Sequence, residues 1–171
     1  KSTDLLSMGH LDGFRAMGEP TDIGSTIGSF GGIDAYQNGP LVQATQGSTE
    51  YGLRYQSTEL AYRFLCQHDG LCQKKTGRYG TAREWWSNPY GDPALAALQR
   101  FPNEGTTPPA LGDVLVFWAG TSGHVAIVKD VTSDHVTVIE QGVFNGSHVY
   151  VLHQNAGTYA MAGALGWMRA P

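Results

Sequence analysis

Apolar positions recur at two different periods along this chain, and the change from one to the other divides it. Between Ser57 and His68, Leu60, Ala61, Phe64 and Leu65 return at helical spacing, which predicts a helix over 57–68. One turn back from Leu60 and Ala61 is Ser57, so that serine opens the helix on its buried stripe. A second helix is predicted from Thr81 to Trp86 and a third from Pro93 to Arg100, with proline in its first turn. Beyond residue 111 the period shortens to that of strands. Asp113–Trp118, His124–Val131, His135–Glu140, His148–His153 and Ala164–Arg169 are short, rich in Val, Ile and aromatics, and separated by turn residues. Helices followed by an antiparallel sheet predict an α+β architecture. Residues 1 to about 50 are rich in Gly, Ser, Thr and Asp, with apolar clusters as short as Ile33–Tyr36. They read as extended loop wrapped on the domain, with a short helix around Leu11–Met17. No internal repeat is present.

Composition narrows the classes. A length of 171 residues supports one domain with a proper core. Hydrophobic residues at 41% and charged ones at 15% describe a globular chain rather than a disordered one. A net charge of -4, with Lys74-Lys75 as the densest basic spot, argues against nucleic acid as a partner. No apolar run approaches the roughly 20 residues that span a bilayer, so no membrane span is expected. The start at Lys1, without methionine or a signal-type stretch, reads as a processed product or an excised fragment. Cys66 and Cys72, six apart, could close one disulfide loop or remain buried thiols. Asn145-Gly146-Ser147 forms a glycosylation triplet of low specificity. His10, His68, His135, His148 and His153 show no metal-type spacing and no Asp-rich calcium loop is visible. Neither metal nor cofactor is expected.

Candidate chemistry comes from one hairpin. His124–Val128 and Val136–Glu140 flank a turn near Thr132–Asp134. With a three-residue loop at 131–133 or 132–134, the residue facing His124 is 140 or 142. Side chains alternate along strands, so Glu140 shares a face with His124 in either register, directly opposite or diagonal, while Gln141 points the other way. A carboxylate so placed orients an imidazole and stabilises its charged form. Taken singly, these residues have ordinary readings. A strand-start histidine is structural, a strand-end glutamate is solvated, and Ser57 is a helix N-cap. Together they describe a nucleophile position at a helix start, an imidazole and an orienting carboxylate.

At this point the sequence resembles a known family. Tyr51–Leu65 (YGLRYQSTELAYRFL) is similar to the nucleophile segment of CHAP domains, the cysteine- and histidine-dependent amidohydrolases and peptidases: an aromatic, Gln, Cys, then Glu within an apolar helix. Gly80–Trp85 resembles the helix that follows, and Pro109–Phe117 the Pro-x-x-Gly-Asp strand entry. Gly123–Val128 and Val138–Gln141 resemble the histidine and acid strands, and Gly31–Gly39 the stretch upstream of the nucleophile. The likeness runs in order from about residue 30 to 170. It implies a papain-like CHAP fold, with N-terminal helices packed on a C-terminal antiparallel sheet. It also implies a single domain over 1–171, with an extended segment 1–30 and a core 31–171. Two positions depart from the pattern. Ser57 stands where the family has cysteine, and Gly142 where many members have Asn two residues after the acid; Gln141 or Asn145 could supply an amide instead.

The resemblance implies attack on a peptide-type carbonyl by the group at position 57, with His124 protonating the leaving amine and Glu140 holding the ring. The oxyanion would rest on the N–H of residue 57 and a second donor at Gln56 or Tyr55. Water would release the acyl enzyme. Serine lacks the thiolate such a site is built for, so activity is expected to fall by orders of magnitude; Ser57 is either an introduced, silencing substitution or a natural one. Cys66, nine residues along the helix, turns to the opposite face and cannot substitute. Among the aromatics, Trp85, Trp86, Trp118, Tyr55 and Tyr62 read as core or groove wall, with one or two lining a glycan or peptide cleft. The implied substrate is an amide of peptidoglycan, acted on by a secreted, periplasmic or wall-associated monomer. An immunity or inhibitor protein would be its partner if the chain is a toxin. The alternatives are a wall-binding pseudoenzyme, an amidase of a small conjugate such as glutathionylspermidine, and a true Ser57–His124–Glu140 hydrolase.

Overall fold

The computed structural model describes residues 23–39, 46–72, 81–87, 92–143 and 146–171. The helix expected at Leu11–Met17 and the amide of Asn145 lie outside them. Two short hairpins open the described chain. β1 (Thr26–Phe30) pairs antiparallel with β2 (Ile33–Tyr36), and β3 (Ser48–Thr49) with β4 (Gly52–Leu53). Three helices follow: α1 (Ser57–Gln67), α2 (Ala82–Ser87) and α3 (Pro93–Ala97). Then come β5 (Gln99–Pro102), β6 (Val114–Phe117), β7 (His124–Val131), β8 (His135–Ile139), β9 (Ser147–Val151), β10 (His153–Asn155), β11 (Thr158–Ala160) and β12 (Ala164–Arg169). Six of these form one antiparallel sheet in the order β5-β12-β6-β7-β8-β9. The chain is a mixed α/β protein with few helices and one large antiparallel sheet.

Three expectations are corrected. The segment before residue 50 is not simply extended loop, because Phe30 pairs with Ile33 across Gly31-Gly32. Both glycines have positive φ (59° and 79°), as a two-residue hairpin turn demands. The third helix stops at Ala97, and Arg100 instead lies in β5, paired with Met168 at the sheet edge. The run His148–His153 breaks at Leu152 into β9 and β10, and β10 turns away to pair with β11.

Both faces of the sheet's central strands are buried. On one, Val114, Val116, Val125, Ile127, Ile139 and Met168 pack with Leu60, Ala61, Phe64 and Leu65 of α1 and with Trp85 of α2. On the other, Leu115, Phe117, Ala126, Val128, Val136, Val138 and Trp167 close on Leu152 and Met161. This two-sided burial explains unbroken apolar runs such as Val114–Phe117, where every residue is buried. Cys66, in the last turn of α1, forms a disulfide with Cys72 beyond it. At the sheet's foot Asp113 is wholly buried and accepts two hydrogen bonds from Arg169, Nε at 2.7 Å and Nη2 at 2.8 Å. Burial pushes its carboxyl up, against the lowering effect of Arg169 and of the Ala110 amide.

The β7–β8 hairpin reaches its register indirectly. Val131 pairs with Val136, leaving four residues in the turn, which by itself would place His124 and Glu140 on opposite faces. A bulge between Val128 and Asp130 leaves Lys129 unpaired and shifts the register by one. From there Val128 pairs with Val138 and Ile127 with Ile139. Carried on, this register sets Gly142 opposite His124 and Glu140 diagonal to it, on the same face.

Candidate active site

His124 begins β7, and its pairing with Phe117 of β6 fixes the backbone that presents the imidazole. Glu140 leaves the end of β8, its N–H donating to the carbonyl of Gly146 at 3.0 Å. His124 Nε2 lies 2.8 Å from Glu140 Oε2, with side-chain exposures of 15% and 3%. A carboxylate can only accept here, so Nε2 carries the proton and Nδ1 is left as the basic nitrogen. Nδ1 has no hydrogen-bond partner among the described residues. The Tyr150 hydroxyl donates to the same Glu140 oxygen at 3.3 Å. His148 Nδ1 stands 3.7 Å from the other oxygen, Oε1. Burial, followed by the charge and hydrogen bond of Glu140, pushes the Tyr150 hydroxyl well above the usual tyrosine range, so it remains a donor.

Gln141 takes the opposite side of the sheet and is fully buried beneath α1. Its Nε2 donates to Glu59 Oε2 at 2.6 Å and to the Gln56 carbonyl at 3.1 Å. Its Oε1 accepts from Tyr36 N at 2.9 Å and Arg63 Nη2 at 3.4 Å. Glu59 in turn receives Arg63 Nε at 3.0 Å and the Thr49 hydroxyl at 3.3 Å. The amide of Gln141 is thus spent on tying α1 and β2 to the end of β8, away from His124.

Ser57 is buried, at 8% exposure, and begins α1 as its first helical residue; the N-cap is Gln56, not Ser57. No side chain caps this end. The Glu59 N–H turns back to the Gln56 carbonyl at 3.1 Å, so the N–H groups of Ser57 and Thr58, with the positive end of the helix dipole, are the ones offered to whatever binds there. The turn before it is tense: Tyr55 has φ 65°, a left-handed conformation that tyrosine rarely adopts. Gly142, with φ 76°, passes directly over the helix start. A Cβ on it would lie 3.4 Å from Ser57 N and 3.5 Å from Gln56 Oε1. The position two residues past Glu140 is thereby joined to the start of α1. Ser57 and His124 make no direct hydrogen bond among the described residues. Beside this start, a cleft of about 370 Å³ is lined by Tyr36, Tyr51, Tyr55, Arg54, Glu59 and Arg63, among others.

The profile of the CHAP domain matches residues 46–155, well over half of the chain. The chain belongs to the CHAP domain family. A CHAP domain carries hydrolase chemistry of the amidase or peptidase kind, in general directed at peptidoglycan. The solved structure of Ly7917 is similar at 18% identity, over 69% of this chain and 54% of that one, with a TM-score of 0.39. The present chain therefore spans about half of that protein's length. No curated protein matches.

Of the residues singled out from sequence in this CHAP domain, His124 and Glu140 meet directly. Ser57, Gln56 and Tyr55 surround the helix start, and Gln141 acts as a strut behind it. Sequence reasoning gave no role to Tyr150, His148, Glu59 or Arg63. Tyr150 and His148 were visible as alternate residues of a predicted strand; only the β8–β9 register, with Val138 opposite His148 and Val136 opposite Tyr150, aims both at Glu140. Glu59 and Arg63 carried the helical i, i+4 spacing of an ion pair. Among the described residues no group of three or more His, Cys, Asp or Glu side chains could hold a metal ion. No helix among them is long and apolar enough to cross a membrane.

Proposed function

We propose that this CHAP domain is built to hydrolyse an amide bond of peptidoglycan peptides by a Cys-His-Glu type mechanism on a papain-like scaffold, and that Ser57 holds it at low or no activity. The observation that carries the reading is the 2.8 Å contact between His124 Nε2 and Glu140 Oε2, with Gly142, two residues past the acid, lying over the uncapped start of α1. In the proposed reaction the group at position 57 attacks the carbonyl carbon while Nδ1 of His124 takes its proton. The C–O⁻ that forms is received by the N–H of residue 57, with Gln56 or Tyr55 supplying the second donor. The tetrahedral intermediate collapses as His124 returns the proton to the leaving amine. Water, deprotonated by the same imidazole, then cleaves the acyl enzyme. Glu140 keeps the ring in one tautomer and orientation throughout.

The weak point is the nucleophile. A hydroxyl is far less acidic than a thiol, and oxygen's shorter bond and radius withdraw it from a site shaped for sulfur. Ser57 has no hydrogen bond to His124, which favours a wall-binding pseudoenzyme as the second reading and disfavours a serine triad. A peptidoglycan substrate and the disulfide both fit a secreted, periplasmic or wall-associated protein.

The test is Ser57→Cys beside the unaltered chain on purified peptidoglycan, with mass spectrometry of released fragments. The cysteine form should cut at least about 10³ times faster, and fragment masses would name the bond. Sacculus binding without cutting by either form would favour the pseudoenzyme. Neither cutting nor binding would defeat the peptidoglycan reading and direct attention to small amide conjugates. A serine-directed fluorophosphonate that labels Ser57 would revive the serine hydrolase.

A further inference from the structure

Glu140 is contested by two imidazoles. His124 approaches Oε2 at 2.8 Å from β7, and His148 approaches Oε1 at 3.7 Å from β9. His148 is half exposed. Each imidazole faces its own oxygen of the carboxylate, so the two compete for its orientation. The Tyr150 hydroxyl biases this competition, because it donates to Oε2, the oxygen that serves His124.

The ring behind that hydroxyl is fixed on two sides. It packs on Phe117 at 4.7 Å between centroids and stacks on His148 at 4.5 Å, while Phe117 pairs through its backbone with His124. The donor, the oxygen it holds and the imidazole that oxygen orients thus share one stretch of sheet face. Its hydroxyl stays protonated because burial and the Glu140 charge both oppose ionisation. The groups facing Glu140 from neighbouring strands are His124 of β7 and His148 and Tyr150 of β9.

We propose that Tyr150 is a positioning residue for the catalytic pair, pinning Glu140 Oε2 on His124 against the competing pull of His148. This rests on the reading of His124 and Glu140 as the reacting site. It assigns His148 a definite effect, a competing contact with Oε1 that Tyr150 limits by holding Oε2.

The first readout needs no activity. Imidazole ¹⁵N spectra of the full chain should show His124 protonated at Nε2, and Tyr150→Phe should redistribute that proton between the two nitrogens. Adding His148→Gln to Tyr150→Phe should restore the His124 signals. His148→Gln alone should leave them unchanged. In the Ser57→Cys enzyme, Tyr150→Phe should lower kcat about tenfold with KM unchanged, the deficit closing when His148→Gln is added. Identical His124 spectra in the chain and in Tyr150→Phe would overturn the proposal, as would a defect that His148→Gln does not relieve. If Tyr150→Phe loses the cooperative unfolding of the parent, a His148→Gln spectrum that shifts His124 with Tyr150 intact overturns it equally. An inactive Ser57→Cys protein whose His124 still responds to Tyr150→Phe would defeat the hydrolase reading and leave the hub around Glu140 standing.

Discussion

Glu140 and Gln141 are neighbours in the chain, yet they serve opposite faces of the sheet in opposite ways. On the α1 side, Gln141, Glu59, Arg63 and Thr49 form a closed knot: both glutamate oxygens and both ends of the amide are engaged. On the other side, Glu140 anchors an imidazole whose Nδ1 has no hydrogen-bond partner among the described residues. The lesson is one of saturation. A polar cluster in which every atom is satisfied fixes geometry, and one with a single group left over can do chemistry.

The comparison breaks most visibly at Glu140. In the Ser57→Cys background, Glu140→Gln should reduce kcat by about 10³-fold, with thermal unfolding close to that of its parent; a large drop in Tm would make Glu140 a structural residue like Glu59. Glu59→Gln should do the reverse. It leaves the Arg63 guanidinium, at 11% side-chain exposure, without its countercharge. A cost of about 3 kcal/mol in urea unfolding is expected, with kcat changed far less than by the Glu140 variant. An undiminished midpoint would show that the knot is ornamental. Gly142→Ala should have the smallest effect and touch both faces. A left-handed residue gains a Cβ against Ser57 N, for about 1 kcal/mol of strain, and the helix start is nudged out of line. Stability and rate should therefore fall together, which chemical denaturation and turnover on peptidoglycan would read separately.

Much of the sheet was legible because strand alternation and turn residues are local signals. His124–Val131 and Ala164–Arg169 fall on β7 and β12 to the residue. The sharing of a face by His124 and Glu140 followed from parity, though by a route the sequence does not announce. A four-residue turn and a bulge combine to give the parity that a simple three-residue loop would have given. The β1–β2 hairpin turns on Gly31-Gly32 within a polar, glycine-rich segment that reads as loop. Arg100 continued an apparent helix because Pro93–Ala97 starts one well, with Asp92 accepting from Ala94 N at 2.9 Å. Pairing with β12, a partner far along the chain, decided its state instead. Tyr150 was illegible for the same reason, since its relation to Glu140 exists only once β8 and β9 are in register.

The bulge at Lys129 has a consequence for how this hairpin tolerates changes of length. A regular strand has no spare residue, and losing one turns everything upstream to the other face. Here one is held in reserve. Deleting Lys129 would straighten β7 and leave Val128 opposite Val138, Ile127 opposite Ile139 and His124 still facing Gly142. An added residue between His124 and Val128 finds no such reserve and would carry the histidine to the wrong side. Deletions at 129 should therefore be better accepted than insertions a few positions earlier, an asymmetry that a scan of single-residue length variants would expose.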